Sequence, residues 1–375
     1  MSEAKYKKAA GIINKAGGTP LPINDTLIAI LKHIIDEDDL NFIFAFRRKT
    51  SQTMEELKES SKLSEEEILE KAENLAKKGV MFNQPNRQGT MVYRILPLIN
   101  VGTFEYTFMK ELEHSKENKE LSDLFAKLFD GLGDLVQNNY DMITSMMLKQ
   151  RPVDRTVPIL TNKETGKDIE IIINENIEVP KERIIPTQNI EEIINKFDDI
   201  AIGHCFCRHH KDLLGDPCKQ TETRENCFTF GKSARHVVEN GFGRLISKEE
   251  ALKIMRNAEE DGLVHKAYHP GFDITRDETS VCNCCKCCCG QAGVRFPTVN
   301  ANNYISHINQ DLCVGCGTCV EKCHFNVIKL NDENKAEKVG DYCIGCGICA
   351  YFCPENAISM IEGQRIVRIA PPRRN

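Results

Sequence analysis

Eighteen cysteines lie between residues 205 and 353, and none precedes that segment. Eight of them form two copies of the pattern Cys-x₂-Cys-x₂-Cys-x₃-Cys, which begin at Cys313 and Cys343. Three cysteines at this spacing, on a loop kept open by glycines, can wrap one side of a metal cluster. Six other cysteines fall within residues 282–289, where neighbouring thiols rarely reach disulfide geometry. The sequence therefore predicts thiolate ligands in a reducing compartment rather than disulfides.

The fourth cysteine of each copy starts a short segment that leads away from the loop, so we expect it to ligate the group held by the other copy. Zinc is disfavoured here, because zinc sites usually combine two separated cysteine pairs. His324 follows Cys323 where the second copy has Pro354, and we expect it at the surface rather than as a ligand. The predicted ligands of two [4Fe-4S] clusters are, for the first, Cys313, Cys316, Cys319 and Cys353 and, for the second, Cys343, Cys346, Cys349 and Cys323.

Ten further cysteines form a less regular middle module: Cys205, Cys207, Cys218, Cys227, Cys282, Cys284, Cys285, Cys287, Cys288 and Cys289. Six thiols within eight residues cannot all face one cluster, so we expect one or two additional iron–sulfur clusters, with zinc as the alternative. One division assigns the four cysteines of residues 205–227 to one site and four of residues 282–289 to another. Sets that mix the two groups are equally open.

Basic and imidazole side chains surround these cysteines in the sequence. We expect them to tune the potential of a cluster, with direct ligation or contact with an anionic substrate as the alternatives. The residues concerned are His204, Arg208, His209, His210, His236, His265 and His269.

Residues 309–360 resemble the bacterial ferredoxins that hold two [4Fe-4S] clusters, and the two four-cysteine repeats carry this resemblance. It implies a βαββαβ domain that transfers electrons. Cys288-Cys289-Gly290 is similar to the Cys-Cys-Gly tripeptide of heterodisulfide reductase-type proteins. The layout of the whole chain, with its His-Cys-x-Cys-Arg and Cys-Asn-Cys-Cys segments, resembles a group of uncharacterised iron–sulfur proteins from anaerobes.

Composition narrows the class of protein. The 375 residues carry 49 Lys and Arg against 55 Asp and Glu, and the net charge of −6 provides no general attraction to nucleic acid or anionic membrane. No apolar run approaches the roughly 20 residues of a membrane span. The N-terminus lacks the apolar segment of a signal peptide. We therefore expect a cytoplasmic protein without a membrane span.

The cysteine-free N-terminal part predicts a winged-helix-like domain. Apolar spacing indicates helices over residues 26–35, 40–47, 53–60 and 64–78 and a hairpin over residues 80–96. Ser64 and Glu67 form a capping box, which places three glutamates at the start of the last helix. These glutamates oppose the phosphates of DNA, and the hairpin offers only Arg87 and Arg94. DNA is therefore not expected as a partner, and docking to protein or a structural role is favoured.

The remaining elements complete an α+β chain of four parts. A long helix or helix pair is predicted over residues 118–150, a strand pair at residues 157–160 and 168–173, and helices over residues 189–197 and 248–261. The predicted domains are a winged-helix-like domain (1–110), a helical and hairpin linker region (111–200), a cysteine-rich metal or cluster module (201–300) and a dicluster ferredoxin-like βαββαβ domain with a C-terminal tail (301–375).

Three functions fit these observations. The first is an electron-transfer protein or oxidoreductase subunit that relays electrons through the two C-terminal clusters to a cluster of the middle module, with oxidoreductase subunits or flavoproteins as redox partners. The second is a redox-responsive regulator that acts through the winged-helix-like domain. The third is a reductase with a catalytic cluster in the middle module. The chain lacks the Gly-x-Gly-x-x-Gly fingerprint, so a hydride-handling step needs a partner.

Overall fold

The computed structural model of the chain describes residues 2–17, 21–86, 88–111, 113–173, 189–289 and 296–374. These residues mix helices and strands, which confirms the α+β class. No helix among them is long and apolar enough to cross a bilayer. Arg87 of the predicted hairpin and Gly290 of the Cys-Cys-Gly tripeptide lie outside the described residues.

The helices of the described residues are α1 Ser2–Ala16, α2 Asp25–Ile34, α3 Glu37–Ile43, α4 Met54–Ser61, α5 Glu65–Lys77, α6 Thr103–Met109, α7 Lys116–Asn138, α8 Tyr140–Met147, α9 Ile190–Asn195, α10 Phe206–Leu213, α11 Lys232–Glu239, α12 Lys248–Glu260, α13 Thr318–Lys322 and α14 Ile348–Tyr351, with 3₁₀ turns at Phe44–Arg47 and Pro270–Phe272. The strands are β1 Ser51–Gln52, β2 Met81–Pro85, β3 Met91–Ile95, β4 Asp154–Val157, β5 Ile171–Ile173, β6 Ile200–His204, β7 Glu225–Phe230, β8 Arg244–Leu245, β9 Val264–Tyr268, β10 Ser280–Cys284, β11 Thr298–Ile308, β12 Ile328–Leu330, β13 Ala336–Lys338 and β14 Ile358–Ile369.

The chain forms two compact units, and each is assembled from separated stretches. The first unit consists of Met1–Leu132, Ala201–Pro217 and Lys232–Leu245. The second unit consists of Gly133–Ile200, Cys218–Gly231 and Ile246–Asn375. The domain boundaries predicted near residues 110, 200 and 300 stay predictions.

The first unit combines a group of helices with a three-stranded antiparallel sheet in the order β1-β3-β2. In the hairpin of β2 and β3, Met81 lies opposite Ile95. Helix α5 begins after Ser64, whose hydroxyl accepts a hydrogen bond from the Glu67 N–H at 3.3 Å, while the Glu67 carboxylate accepts one from the Ser64 N–H at 2.8 Å. The predicted capping box is therefore confirmed. Apolar residues of α1 to α5 and of the sheet form one core.

Helix α11 places His236 in the interior of the first unit. The imidazole is fully buried, its ring centroid lies 4.5 Å from that of Phe82, and its Nδ1 accepts a hydrogen bond from the Asn240 side chain at 3.2 Å. Burial and, to a smaller extent, the charge of Arg94 lower the pKa of His236 to about 4. The folded protein therefore keeps this imidazole neutral at pH 5, whereas the unfolded chain protonates it.

We expect this pKa difference to make the first unit less stable in acid. The stability that neutral His236 contributes is complete above about pH 6.5 and is lost as the pH falls toward 4, with a loss of about 2 kcal/mol between pH 8 and pH 5. Urea unfolding followed by circular dichroism measures the loss, since the chain has no tryptophan. His236→Phe keeps an aromatic ring and removes the titration, so its stability should depend less on pH by that amount. A variant with the pH dependence of the wild type would contradict a buried neutral imidazole.

The second unit is built on a mixed sheet with the strand order β5-β14-β11-β4-β9-β10-β7. The pairs β5–β14 and β11–β4 are parallel, and the other pairs are antiparallel. Strands β11 and β14 form a long ladder from Thr298 opposite Ile369 to Ile308 opposite Ile358. Along the chain, residues 298–369 run in the order strand, helix, strand, strand, helix, strand, with β12 and β13 paired as a separate hairpin.

The predicted strand pair near residue 160 forms only beside its turn, where the Ile169 N–H donates to the carbonyl oxygen of Leu160 at 2.8 Å, and the rest of each segment pairs with other strands. Strand β4 pairs with β9 and β11, and strand β5 pairs with β14. Among the described residues, a single isolated bridge between Thr161 and Asp168 joins the two segments. The β11–β14 ladder offers an edge on each side, and each short strand joins one of these edges. Alternation of apolar residues indicates a strand but does not specify its partner.

Candidate metal centres

Two cavities lie in the part of the second unit that runs from β11 to β14. The cysteines that line them are Cys313, Cys316, Cys319 and Cys353 for the first cavity and Cys323, Cys343, Cys346 and Cys349 for the second cavity. The structure thus brings together the same two sets of four that the spacing predicts. Each cavity takes its fourth cysteine from the other repeat.

The walls of both cavities suit a metal group held by thiolates. Apolar side chains complete the walls: Ile308, Ala336 and Ile358 in the first cavity and Phe325, Ile344 and Met360 in the second. The backbone N–H groups of Ala336 and Ala357 donate to Sγ of Cys313 and of Cys353, both at 3.3 Å. Such donors stabilise negative charge on sulfur. The donor sets and the walls therefore fit one [4Fe-4S] cluster each.

Burial favours the protonated form of several of these thiols. It raises the pKa of Cys319 to about 11 and, together with the charges of Cys343 and Cys323, the pKa of Cys346 to about 12. The pKa of Cys349 is raised well above its usual value, again mainly by burial. Since iron binds the thiolate, cluster assembly has to release these protons.

Two glycines of the second repeat are required by close contact with the backbone. Gly345 and Gly347 have φ values of +64° and +77°. A Cβ atom on Gly345 would lie 2.1 Å from the carbonyl oxygen of Tyr304, and one on Gly347 would lie 2.0 Å from that of Ile159. Neither the space nor the backbone conformation permits a side chain. The loop between the cysteines is thus packed directly against other backbone segments.

A segment far upstream supports the second repeat. The Ile159 N–H donates to the carbonyl oxygen of Cys346 at 3.0 Å. The Asn162 side-chain amide donates to the carbonyl oxygens of Ala350 at 3.0 Å and Cys353 at 2.9 Å. These contacts fix the backbone at one cysteine of each cavity. Sequence reasoning missed Ile159 and Asn162 as site residues, because no motif distinguishes them from an ordinary strand end and turn.

His324 is buried, which corrects the expectation of a surface residue. Its side chain is 5% exposed, and Nε2 lies 3.0 Å from the carbonyl oxygen of Gly262, which follows helix α12. Burial lowers the pKa of His324 to about 4, so the neutral ring donates its Nε2 proton to this carbonyl. The residue after Cys323 therefore attaches the second cavity to the end of α12, a contact between distant segments that the sequence does not indicate.

Four cysteines of the middle module form what we call the four-thiol group: Cys218, Cys285, Cys287 and Cys288. All their Sγ atoms lie within 4.8 Å of one another. Sγ of Cys287 lies 3.5 Å from that of Cys218 and 3.6 Å from that of Cys288. This set mixes residues from both stretches of cysteines, so the geometry favours the mixed division that the sequence left open.

A second set, which we call the three-thiol group, consists of Cys282, Cys284 and Cys289. Hydrogen bonds with the thiols of Cys282 and Cys289, and then burial, raise the pKa of Cys284 well above its usual value. Buried Lys266 on β9 pairs with Asp154, with its Nζ 2.8 Å from the carboxylate. Burial opposes the charge of Lys266, but Asp154 and then Cys284 and Cys289 raise its pKa above the usual value. The group therefore lies beside a fixed buried cation.

The three-thiol group and the second cavity border the same apolar cluster. Cys284 belongs to this cluster together with Ile344 and Ile348, which come from the loop and helix of the second repeat. Cys282, Cys289 and Cys346 pack against it, and Cys346 also lines the second cavity. One water-excluding patch thus connects a cysteine of the dicluster part with the middle module.

The other predicted residues lie in both units. Cys227 on β7 lies opposite Cys282 on β10 in the second unit. Cys205 precedes α10 and Cys207 lies in its first turn, in the first unit. On the same helix, the His209 ring lies 2.9 Å from the carbonyl oxygen of Phe108.

Comparison with known proteins agrees with this geometry. Residues 306–360 match the family model of the 4Fe-4S dicluster domain. A probable ferredoxin of Methanosarcina thermophila is 47% identical over 32 residues, which represent 8% of this chain and 55% of that relative. The chain thus covers little more than half of the relative's length, and no solved structure matches the chain significantly. Residues 306–360 of this chain therefore form a 4Fe-4S dicluster domain.

Proposed function

We propose that the protein is an iron–sulfur electron-transfer protein or the electron-transfer subunit of an oxidoreductase. Cys313, Cys316, Cys319 and Cys353 ligate one [4Fe-4S] cluster, and Cys343, Cys346, Cys349 and Cys323 ligate the other. The observation that carries the proposal is the pair of cavities, each lined by four cysteines from both repeats. A [4Fe-4S] cluster supplies reversible one-electron redox chemistry. The chain provides the thiolates, the apolar walls and the N–H donors to sulfur.

The proposed function also rests on two proposals about the fold. Residues 298–369 adopt the βαββαβ arrangement of a ferredoxin, which accounts for their order of strands and helices. The N-terminal part is winged-helix-like, with α2 to α5 followed by the β2–β3 hairpin. Glu65, Glu66 and Glu67 are exposed at the start of α5, where a DNA-binding helix would meet phosphates. This charge favours docking to a protein over binding to DNA.

A redox partner docks on the surface around the first cavity. Cys316 is exposed, and the neighbouring Leu312 and Val314 are 51% and 60% exposed. Apolar side chains at the rim of a cofactor site suit a transient protein contact, because burying them stabilises the complex without a large interface. The partner is a protein of redox function, such as a flavoprotein or another oxidoreductase subunit.

The middle module receives electrons from the second cavity. The apolar cluster between Cys346 and Cys284 excludes water and lowers the local dielectric constant, which favours direct transfer between the two sites. A buried cation stabilises the more negative, reduced state of a metal group, and Lys266 provides that charge beside the three-thiol group. A cluster held by the three-thiol group is therefore the acceptor at the end of the relay.

Anaerobic purification of the full-length protein, followed by iron and sulfide analysis and EPR during reductive titration, tests this function. We expect about eight irons from the dicluster domain plus additional iron from the middle module, and reduction of both by a low-potential one-electron donor. Cys284→Ser should lower the additional iron and leave the signals of the dicluster domain unchanged. Protein that binds no iron, or whose iron cannot be reduced and reoxidised, would contradict an electron-transfer role.

A further inference from the structure

The four-thiol group differs from the two cavities in the spacing of its sulfur atoms. Its Sγ atoms all lie within 4.8 Å of one another, and two of the pairs lie at 3.5 and 3.6 Å. Among the described residues, no three cysteines that line the two cavities form a group as tight as this. The chain therefore contains two kinds of cysteine site.

The short spacing suits a single ion. Four thiolates arranged as a tetrahedron around one ion, each at about 2.3 Å, lie about 3.8 Å apart. In a cubane cluster, each thiolate binds a different iron on the outside of the cube, so the four sulfurs lie farther apart. The separations from Cys287 to Cys218 and Cys288 match the first arrangement.

Backbone and side-chain hydrogen bonds hold the ligand segments in place. The N–H group of Cys288 donates to Sγ of Cys285 at 3.4 Å. The Gln220 side chain connects the two segments, because its Oε1 accepts a hydrogen bond from the Lys286 N–H at 2.9 Å. Its Nε2 donates to the carbonyl oxygens after helix α12 at 2.8 and 3.0 Å. The four sulfurs are thus positioned by contacts that do not depend on a metal.

We propose that Cys218, Cys285, Cys287 and Cys288 bind one tetrahedral divalent ion, zinc or ferrous iron, and no iron–sulfur cluster. This assignment divides the six cysteines of residues 282–289 between two sites. Cys285, Cys287 and Cys288 bind the ion, while Cys282, Cys284 and Cys289 form the three-thiol group, of which Cys284 and Cys289 interact with the charge of Lys266. The inference is independent of the relay, because an ion of this kind stabilises the module whether or not electrons reach it.

Metal analysis of the full-length protein, purified anaerobically, tests the inference. We expect one zinc, or one iron without matching sulfide, in addition to the cluster iron. Cys287→Ser should lower this single ion at least tenfold and leave cluster iron and EPR signals unchanged. Cys282→Ser is the matched control from the same loop and should retain the ion. Loss of several irons and an equal amount of sulfide from Cys287→Ser would overturn the proposal.

X-ray absorption spectroscopy of the wild-type protein tests the same proposal without variants, so it also applies if the variants do not fold. At the zinc edge, or at the iron edge after the cluster contribution is subtracted, a single-ion site should show four sulfurs at about 2.3 Å without a neighbouring metal. Substitution with cobalt should add the strong visible absorption of tetrahedral cobalt thiolate. Absence of such an ion from the wild-type protein would refute the assignment.

Discussion

Replacing Cys353 by serine is expected to remove the cluster bound with Cys313, Cys316 and Cys319 and to leave the other cluster in place. Cys353 belongs to the second repeat but lines the first cavity. Its Sγ accepts the Ala357 N–H at 3.3 Å, so the thiolate is already positioned there. Serine keeps the size of the side chain but is a poor ligand for iron. The iron content of the dicluster domain should therefore fall from about eight to about four.

Iron and sulfide analysis with EPR of the reduced protein measures this loss. Cys323→Ser is the matched control, because Cys323 holds the equivalent place in the first repeat and lines the second cavity. The two variants should lose complementary EPR signals. If Cys353→Ser instead removed the cluster of Cys343, Cys346 and Cys349, each repeat would hold its own cluster and the crossed ligation would be refuted.

Replacing Lys266 by methionine is expected to destabilise the second unit by about 3–5 kcal/mol. Lys266 is 1% exposed and Asp154 is 0% exposed, so the variant leaves a carboxylate buried without its cation. The remaining contact of Asp154 with the Asn300 side chain at 2.6 Å cannot neutralise that charge. The same change removes a positive charge beside Cys284 and Cys289 and should lower the potential of a metal group bound there.

The double variant Asp154→Asn, Lys266→Met separates these two effects. It removes both charges, so most of the lost stability should return in urea unfolding followed by circular dichroism. The potential should stay lower than in the wild type, because the cation is still missing. A single variant as stable as the wild type would show that the pair contributes little to the fold.

Local sequence signals predict the helices that carry clear caps and apolar spacing, but not helix α1 or strands β7, β9 and β10. The helix at residues 64–78 is fixed by the capping box of Ser64 and Glu67, and α5 spans Glu65–Lys77 as that signal requires. The pairing of β4 and β5 is not predictable in this way. Their partners β11 and β14 lie more than a hundred residues later, and short apolar strands carry no information about which edge they join.

The candidate sites are likewise predictable where their residues lie close together in the sequence, and not where distant segments meet. The two cavities are predictable because each repeat carries three ligands in one short loop and the fourth a few residues later. The four-thiol group is not, because Cys218 meets Cys287 only through the folding of a long intervening segment. The supporting contacts of Asn162 and His324 depend on carbonyl oxygens, which every residue possesses. The spacing of the ligands can thus be predicted from the sequence, whereas the residues that position the ligands cannot.

Each of the two units is assembled from separated stretches of the chain, and this limits how the protein can fold during its synthesis. The first unit needs Lys232–Leu245, so it stays incomplete until about two-thirds of the chain has left the ribosome. A nascent chain that ends at Leu132 has the helices α1 to α5 but lacks the later stretches of that unit. Such a chain exposes apolar surface to chaperones and proteases. Stop codons in the first half of the gene should therefore yield degraded fragments rather than a stable N-terminal domain.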